Sequence, residues 1–577
     1  MPNLHETPHV KRTFVPLAEA DNGDMVTHEV NRAAPLVVRR KISILGEEEV
    51  ARGQWAGPLD FLMSMIAYAV GLGVGIGNVV ISFMCVSYFC VITAWALYYM
   101  IASFNYTFPW ETCQNDWNDW LCITGKETQE QMQTIIRNLS LSNLNTQTSV
   151  EQFWERRVLM QSSSIADFGG IQWELFGLML FSWILIYFAL WKGITNARKF
   201  VYFCALFPYF LIVVLLIRGL TLPGAWTGIS FYLTPNLTKL ADTTVWKDAG
   251  TQVFYSYGVG FGTLIALGSH NKLDHNCYKD AIIMCFINGG TSLLAGTAVF
   301  SILGYMSVVA EKNIAEIVKP GVGLAFLAYP EVASNLPLKQ LWAFLFFLMI
   351  FILGLDSQVC MVEGLFTALE DTFPTLLRKH KKKSLLVFCV TCFIIGLPMV
   401  SYAGAHWLTL VDAYGASGIA LLFVVFFEVV GLAWGFGANR VSQALYEMLG
   451  RYPFFIFPYL WRFTAPLVAA TLFIFCLIMY HPLLYPNGDP FPLWAQVFGF
   501  CLSGCSMIVI PGYAIYYLFI KKDARLEGLT VGEKFQKGMH PPPEIMDKAS
   551  REIVRAKSRT QEEMTLMMVN AKDTDGV

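Results

Sequence analysis

Long apolar runs, separated by short polar or basic stretches, occupy the chain between residues 58 and 520. A helix that crosses the hydrocarbon core of a bilayer needs about 20 mostly apolar residues, because no water is available there to satisfy its backbone groups. The pattern therefore predicts an all-α, polytopic membrane protein with about ten spans. The predicted segments are 58–104, 172–191, 199–218, 250–269, 281–307, 338–369, 384–401, 407–437, 461–480 and 492–520.

Composition agrees with a membrane protein and argues against other classes. Of the 577 residues, 55% are hydrophobic and 15% are charged, whereas a soluble domain is about one quarter charged. The His, Cys and Asp residues have no catalytic spacing and no phosphate-binding loop occurs, so we expect no enzymatic activity, and no nucleic-acid partner. Residues 1–57 are polar and lack a short apolar core, so we expect no cleavable signal.

Basic residues in the short loops set the predicted orientation, since loops rich in Lys and Arg remain in the cytosol. We expect a multi-pass protein of the plasma membrane, with a membrane domain at 58–520 between two cytosolic tails, 1–57 and 521–577. The loops predicted inside by their basic residues are 191–200, 378–384, 438–453 and 521–525. The loops predicted outside are 105–171, 219–249, 308–337, 402–406 and 481–491.

Three glycosylation sequons lie on the predicted outer face, at Asn105, Asn138 and Asn236. One sequon is weak support because the pattern is common by chance, but three on one face support the orientation. Cys113 and Cys122 form the only cysteine pair outside the predicted spans on this face. An oxidising exterior favours a disulfide between them; two free thiols are the alternative.

Three acidic residues, Asp356, Glu363 and Glu428, lie inside predicted spans. Acids within a membrane are costly and mark ion or substrate paths by default. For Glu428 alone, a structural hydrogen bond between helices is an equally good explanation. Asp356 has the stronger case for an ion, because Ser357 comes directly after it and the two side chains provide hard oxygen ligands of the kind an alkali cation prefers.

Two spans are dense in glycine. The stretch "TQVFYSYGVGFGTLIALGS", residues 251–269, has four glycines, and "AYAVGLGVGIGNVV", residues 67–80, has another four. Glycines this dense favour a broken helix, whose unwound backbone supplies carbonyl groups to cations and helix ends to charged substrates. Close packing of helices through small residues is the alternative.

Five motifs of the chain resemble one known family, the sodium- and chloride-dependent neurotransmitter symporters with their inverted-repeat fold. The resemblance runs from about Arg52 to Lys521 and is closest to the branch that carries GABA, betaine, taurine and creatine. The motifs are "FYSYGVGFGTLIALGSHN", "CFINGGTSLLAG", "GVGLAFLAYPE", "LGLDSQVCMVEG" and "DAYGASGIALLFVVFFE".

The resemblance implies sites for sodium ions, a chloride ion and a small zwitterionic substrate. One sodium site is expected to use Ala69, Ser256 and Asn288, and the other Ala67, Val70, Leu353, Asp356 and Ser357. Chloride is expected at Gln252, Ser256, Asn288 and Ser292. Substrate is expected to contact Tyr68, Gly71, Leu72, Gly73, Phe89, Tyr255, Gly258, Phe261 and Ser357. An inner gate would pair Arg52 with Asp371, and Asp412 resembles the acid of the outer gate.

The chain departs from the family pattern directly after Gly73. The adjoining stretch "VGIGNVVISF" resembles the start of the family's third span, so the outer half of the first span and the whole second span are absent, roughly 60 residues by span lengths. Asn78 belongs to this third-span match. Because two crossings are lost together, the orientation of everything downstream is kept.

The long apolar run at 58–104 has consequences of its own. A single straight helix of this length would measure about 70 Å, against a hydrocarbon core of about 30 Å. We predict a break at 71–77, a crossing at 74–104 and a separate short helix at 58–70. Where the family has a tyrosine, Phe89 stands here, and the preceding Tyr88 is expected to face elsewhere on the helix.

Two functions of different classes remain open from the sequence. The first is sodium- and chloride-coupled symport of GABA or a related small zwitterion, supported by Asn288 and the Asp356-Ser357 pair. The second is a non-transporting truncated variant that associates with or retains full-length subunits, supported by the missing segment. The state of assembly, including a homo-oligomer, is also left open.

Overall fold

The computed structural model describes residues 72–124, 147–193, 198–269, 271, 275–310, 313–317, 324–486 and 488–520. Helices account for almost all of this part of the chain. The longer α-helices are α1 (Leu72–Ala102), α3 (Trp173–Leu190), α4 (Arg198–Leu220), α5 (Ala225–Leu233), α6 (Thr243–Ser256), α8 (Cys277–Ala310), α11 (Lys339–Thr372), α13 (Lys381–Gly396), α14 (Gly404–Val411), α15 (Gly418–Val430), α16 (Ala438–Leu449), α18 (Ala465–Ile478) and α19 (Leu493–Met507).

Shorter elements connect these helices. The short α-helices are α2 (Ser149–Gln152), α7 (Thr263–Gly268), α9 (Ile314–Ile317), α10 (Tyr329–Ser334), α12 (Pro374–Leu377), α17 (Phe457–Tyr459) and α20 (Val509–Ile515). Turns of π-helix occupy Phe153–Val158, Leu324–Ala328, Asp412–Ala416, Gly431–Gly437, Leu460–Thr464 and Tyr516–Ile520, and 3₁₀ turns occupy Leu237–Ala241 and Leu397–Val400. Two strands, β1 (Cys122–Ile123) and β2 (Gln147–Thr148), pair in parallel.

Eight helices of the described residues are long and apolar enough to cross a membrane, and a ninth span is formed by α19 and α20 if this pair, bent by 44°, is counted as one. This confirms the prediction of an all-α, polytopic membrane protein. The remaining predicted segment, 250–269, is divided in the structure into α6 and α7. The eight are Val74–Ala102, Trp173–Leu190, Val201–Leu220, Cys277–Val308, Lys339–Thr372, Lys381–Val400, Gly404–Leu449 and Phe457–Ile478.

Helix α1 is the central element of the fold and packs against α3, α11, α15 and α20. Its side chains form much of the core, and Trp95 and Tyr99 are fully buried. The Tyr99 ring stacks on Phe347 of α11 with 4.8 Å between ring centroids, and its hydroxyl donates to the backbone carbonyl of Phe326 at 2.9 Å. Burial of large aromatic side chains is the main source of stability in such a core.

The break predicted at 71–77 is wrong over residues 72–77, because α1 is one continuous helix from Leu72 to Ala102. Gly77 of this stretch allows close packing instead of a bend. A Cβ atom at Gly77 would lie 3.4 Å from the backbone oxygen of Ser506 and 3.4 Å from Cγ2 of Val424. The predicted crossing at 74–104 agrees with the span Val74–Ala102. The predicted short helix at 58–70 lies outside the described residues.

This packing predicts different effects at two neighbouring glycines. Gly77→Val should lower the apparent melting temperature of the detergent-solubilised protein, because its methyl groups would overlap with Val424 and Ser506 at a cost of about 1–3 kcal/mol. Gly75→Val is the control, since a Cβ atom there meets nothing within 4 Å. Equal melting temperatures for the two variants would contradict the packing role of Gly77.

The loop after α1 contains the predicted disulfide. Cys113 and Cys122 are bonded, with 5.8 Å between their Cα atoms. Nearby, Asp119 accepts hydrogen bonds from Arg156 at 2.6 Å and from Gln152 at 2.5 Å. Burial raises the pKa of Asp119, but these hydrogen bonds outweigh that effect and hold the pKa below its ordinary value. The loop is therefore fastened both covalently and by charge.

Candidate functional site

The glycine-rich stretch at 251–269 is a broken helix, as predicted. Helix α6 ends at Ser256, α7 begins at Thr263, and the backbone between them adopts positive φ angles at Gly258, Gly260 and Gly262. Gly260 has a second constraint, because a Cβ atom there would lie 2.8 Å from Cγ2 of Val425. The unwound segment, residues 257–262, places backbone groups that are not part of a regular helix within the helical bundle, and such groups are able to bind ions or substrate.

Polar side chains of α1 hold the unwound segment in place. The Ser82 hydroxyl donates to the backbone carbonyl of Phe261 at 2.5 Å. With its amide oriented so that nitrogen faces the acceptors, Asn78 donates to the carbonyl of Gly260 at 2.9 Å. Glu428 of α15 lies against both Asn78 and the Gly260 backbone. Oε2 of Glu428 is buried without a hydrogen-bond partner among the described residues, so both explanations for this acid stay open.

Three of the four residues expected at chloride lie together where α6 meets α8. The amide nitrogen of Asn288 donates to the hydroxyl of Ser256 at 3.0 Å, and Ser292 donates to the backbone carbonyl of Asn288 at 3.0 Å. Gln252 lies one turn before Ser256 on α6. Amide and hydroxyl hydrogens suit an anion, whereas their oxygens suit a cation. Ser256 and Asn288 are also expected at one sodium ion, and their contact is compatible with either role.

The acidic residue expected at the second sodium site lies on α11. Oδ1 of Asp356 is buried and has no hydrogen-bond partner among the described residues. A buried carboxylate oxygen without a partner is costly, and a cation would offset that cost. Leu353 and Ser357 lie within one turn of it and are exposed in the described structure. The other expected sodium ligands, Ala67, Ala69 and Val70, lie outside the described residues.

Of the described substrate residues, Tyr255, Gly258 and Phe261 lie in or next to the unwound segment. The rings of Tyr255 and Phe261 meet edge to face, with 5.6 Å between centroids, and Phe89 of α1 lies beside Gly354 of α11, where a Cβ atom would be 3.9 Å from its ring. Gly258 is in open space. Leu72 and Gly73 form the first turn of α1, while Tyr68 and Gly71 lie outside the described residues.

The structure describes the acidic residue of each expected gate, Asp371 of the inner gate and Asp412 of the outer gate. Asp371 accepts a hydrogen bond from Arg378 at 2.7 Å, and its expected partner Arg52 lies outside the described residues. Asp412 accepts a hydrogen bond from Tyr88 at 2.5 Å. Tyr88 thus faces another side of the helix than Phe89, and its contact with Asp412 was not expected from the sequence.

Sequence reasoning missed Tyr88, although the chain carries a signal for it. Asn78, Ser82, Cys85 and Tyr88 succeed one another at spacings of four, three and three residues, which places them on one face of a helix. All four are at most 4% exposed. A polar stripe of this kind on an otherwise apolar helix marks the face that contacts polar groups of the bundle.

The sequon asparagines Asn105 and Asn236 are both exposed, and Asn138 lies outside the described residues. Asn236 accepts hydrogen bonds from the amide and hydroxyl of Thr238, the third residue of its own sequon. We expect glycosidase treatment of surface protein to increase its gel mobility, and Asn105→Gln or Asn236→Gln each to remove part of that shift. Asn115→Gln, in the same outer loop but without a sequon, should leave it unchanged. A glycosidase-insensitive wild type would contradict the orientation.

Comparison with known proteins decides the family. A model of the Sodium:neurotransmitter symporter family matches residues 72–521. The chain belongs to this family. The match begins at residue 72 rather than near Arg52, at the point where the sequence departs from the family pattern.

Individual members of the family align over most of the chain. The sodium- and chloride-dependent betaine transporter of Caenorhabditis elegans is 59% identical over 566 residues, covering 88% of this chain and 94% of the relative. The sodium- and chloride-dependent GABA transporter 2 of Bos taurus is 44% identical over 448 residues, covering 77% of this chain and 73% of the relative. The creatine transporter 1 of Mus musculus is 41% identical over 458 residues, with 79% and 72% covered. These relatives are transporters, which confirms that an enzyme was not to be expected.

Proposed function

We propose that this symporter-family protein couples the inward movement of sodium and chloride ions to the uptake of a small zwitterion, GABA or a related compound such as betaine. The observation that carries the proposal is the unwound segment 257–262, which lies next to the bonded pair Ser256 and Asn288. Sodium and chloride are cargo, and the described oxygen, amide and hydroxyl groups fit both.

Two features bear on the substrate. The betaine transporter is more similar to this chain than the GABA transporter, at 59% against 44% identity. Tyr255 and Phe261 supply aromatic rings next to the unwound segment, and such rings attract quaternary ammonium groups. By the family resemblance, amine carriers have an acid where Gly71 stands, and the absence of that acid here favours a substrate that has a carboxylate. We therefore favour betaine over GABA within the proposed class.

The missing segment supports the second candidate, a non-transporting variant that associates with full-length subunits. The alignment with the betaine transporter has 566 positions, but it includes only 88% of the 577 residues of this chain, which is about 508 residues. About 58 positions therefore hold a residue only in the relative, close to the roughly 60 residues expected for the missing spans. Loss of these spans removes possible ion ligands, so transport itself must be measured.

Placement in the plasma membrane is part of the same proposal. The lipid bilayer is the partner of the exposed apolar helix faces, and the basic loops put both tails in the cytosol. The membrane domain at 58–520, the outer loop at 105–171 and the tails at 1–57 and 521–577 are the proposed divisions of the chain.

Uptake of radiolabelled betaine and GABA by Xenopus oocytes tests the proposal. We expect accumulation above water-injected oocytes that is lost when N-methyl-D-glucamine replaces sodium and reduced when gluconate replaces chloride, with betaine the better competitor. Surface biotinylation of the same oocytes is the control. Surface protein without uptake of either compound, together with altered uptake by a co-expressed full-length relative, would favour the non-transporting variant.

A further inference from the structure

Tyr88, Asp412 and Tyr255 form a partly buried polar cluster in which three separate elements meet. The Tyr88 hydroxyl of α1 donates to Oδ1 of Asp412 at 2.5 Å and lies 3.5 Å from the hydroxyl of Tyr255 at the end of α6. The sulfur of Cys85, one turn earlier on α1, lies 3.7 Å from the hydroxyl of Tyr88. Tyr88 and Cys85 are each only 1% exposed. The cluster therefore joins α1 to both α6 and the π turn Asp412–Ala416.

The Asp412 carboxylate depends on Tyr88 for its hydrogen bond. None of the ion pairs in the described part of the chain includes Asp412. The hydroxyl of Ser417 donates to the backbone carbonyl of Asp412 and leaves the carboxylate to Tyr88. A carboxylate in a bundle interior needs such a donor, and a hydrogen bond to an ionised oxygen is stronger than one between neutral groups.

The cluster also borders the substrate residues. Tyr255 contacts Tyr88 through its hydroxyl and Phe261 through its ring, so Asp412 is connected to the unwound segment through two side chains, Tyr88 and Tyr255. The span that begins at Gly404 enters from the predicted outer side, eight residues before Asp412. The Tyr88–Asp412 bond therefore lies about two helical turns into this span and next to Tyr255.

We propose that Tyr88 is a positioning residue of the transport cycle: its hydrogen bond to Asp412 fastens the outer side of the bundle closed over Tyr255, and the bond must break for the site to open outward. This inference rests on the proposed function for its role in transport, but the closure itself is measurable without transport. It assigns to a neutral tyrosine the task of holding the gate acid in place.

Reaction of Cys85 with a membrane-impermeant thiol reagent, applied outside intact cells, measures this closure. The reagent is methanethiosulfonate ethyltrimethylammonium, and the background keeps Cys85 and the Cys113–Cys122 disulfide while the other free cysteines are replaced by alanine. Tyr88→Phe removes one hydroxyl and should speed labelling about tenfold, the lower range for loss of a hydrogen bond to an ionised group. Asp412→Asn should have a similar effect, and the double variant should add little.

Tyr99→Phe is the matched control. Tyr99 lies on the same helix, is 0% exposed and also donates one hydrogen bond, to the carbonyl of Phe326. The labelling rate of Cys85 in the Tyr99→Phe variant should equal the rate in the parent. Equal rates for Tyr88→Phe and the parent, or equal acceleration by Tyr99→Phe, would overturn the proposal. Because labelling needs no uptake, a chain that fails to transport but labels as expected would refute the proposed function and retain the role of Tyr88 in closure.

Discussion

Replacement of Asp356 by asparagine is expected to abolish sodium-dependent uptake or to raise the sodium concentration for half-maximal uptake by at least about tenfold. Oδ1 of Asp356 is buried without a partner among the described residues. The substitution keeps the shape of the side chain but removes its charge, so the attraction for a cation is lost. Loss of one charged contact in a partly buried site corresponds to a change of about 1.4 kcal/mol or more, which is tenfold in an equilibrium constant.

Asp248→Asn is the control for this substitution. Asp248 lies on α6 with its side chain 72% exposed and pairs with its neighbour Lys247 at 3.3 Å. Exposed ion pairs contribute little to stability, so the sodium dependence of uptake by Asp248→Asn should match that of the wild type. Uptake by Asp356→Asn with an unchanged sodium requirement would remove Asp356 from the ion site.

Gly260→Ala is expected to reduce both uptake and stability. Gly260 has a φ angle of 85°, which costs an alanine about 1–2 kcal/mol, and its new methyl group would lie 2.8 Å from Cγ2 of Val425. The overlap adds about 1–3 kcal/mol. We expect a fall in apparent melting temperature of the solubilised protein and at least a tenfold loss of uptake, since the carbonyl of Gly260 would move from Asn78.

Gly258→Ala separates the cost of the positive φ angle from the cost of the overlap with Val425. Gly258 also has a positive φ angle, of 65°, but a Cβ atom there meets nothing within 4 Å. Its melting temperature should fall by less than that of Gly260→Ala. If the melting temperatures of the two variants fall equally, contact between the unwound segment and α15 makes no contribution to stability.

Features that depend on local sequence were predicted well. The break between Ser256 and Thr263 arises from glycines that must adopt positive φ angles, and the apolar run lengths indicated the spans because the bilayer fixes how long a spanning helix must be. The disulfide between Cys113 and Cys122 was expected from their location outside the spans. The contact of Ser256 with Asn288 was expected only through the family resemblance.

Features that depend on distant contacts were not predicted. The density of glycine in "GLGVGIG" resembles that of the broken helix, yet α1 is continuous there, because Gly77 packs against Val424 and Ser506, more than 300 residues away in sequence. The contact of Tyr88 was not predicted for the same reason. Its partner Asp412 lies 324 residues further along, and the direction of a side chain on a fully buried helix cannot be fixed from apolar periodicity alone.

The central claim is that the unwound segment 257–262, together with Ser256 and Asn288 beside it and Asp356 on α11, couples ions to a zwitterion. Substrate-evoked current in voltage-clamped oocytes tests this most directly, because symport of several sodium ions with a zwitterion moves net positive charge. The account predicts an inward current on addition of betaine that requires sodium, is reduced without chloride and is absent in Asp356→Asn at equal surface expression. Surface-expressed wild-type protein that gives no current with betaine or GABA would contradict it.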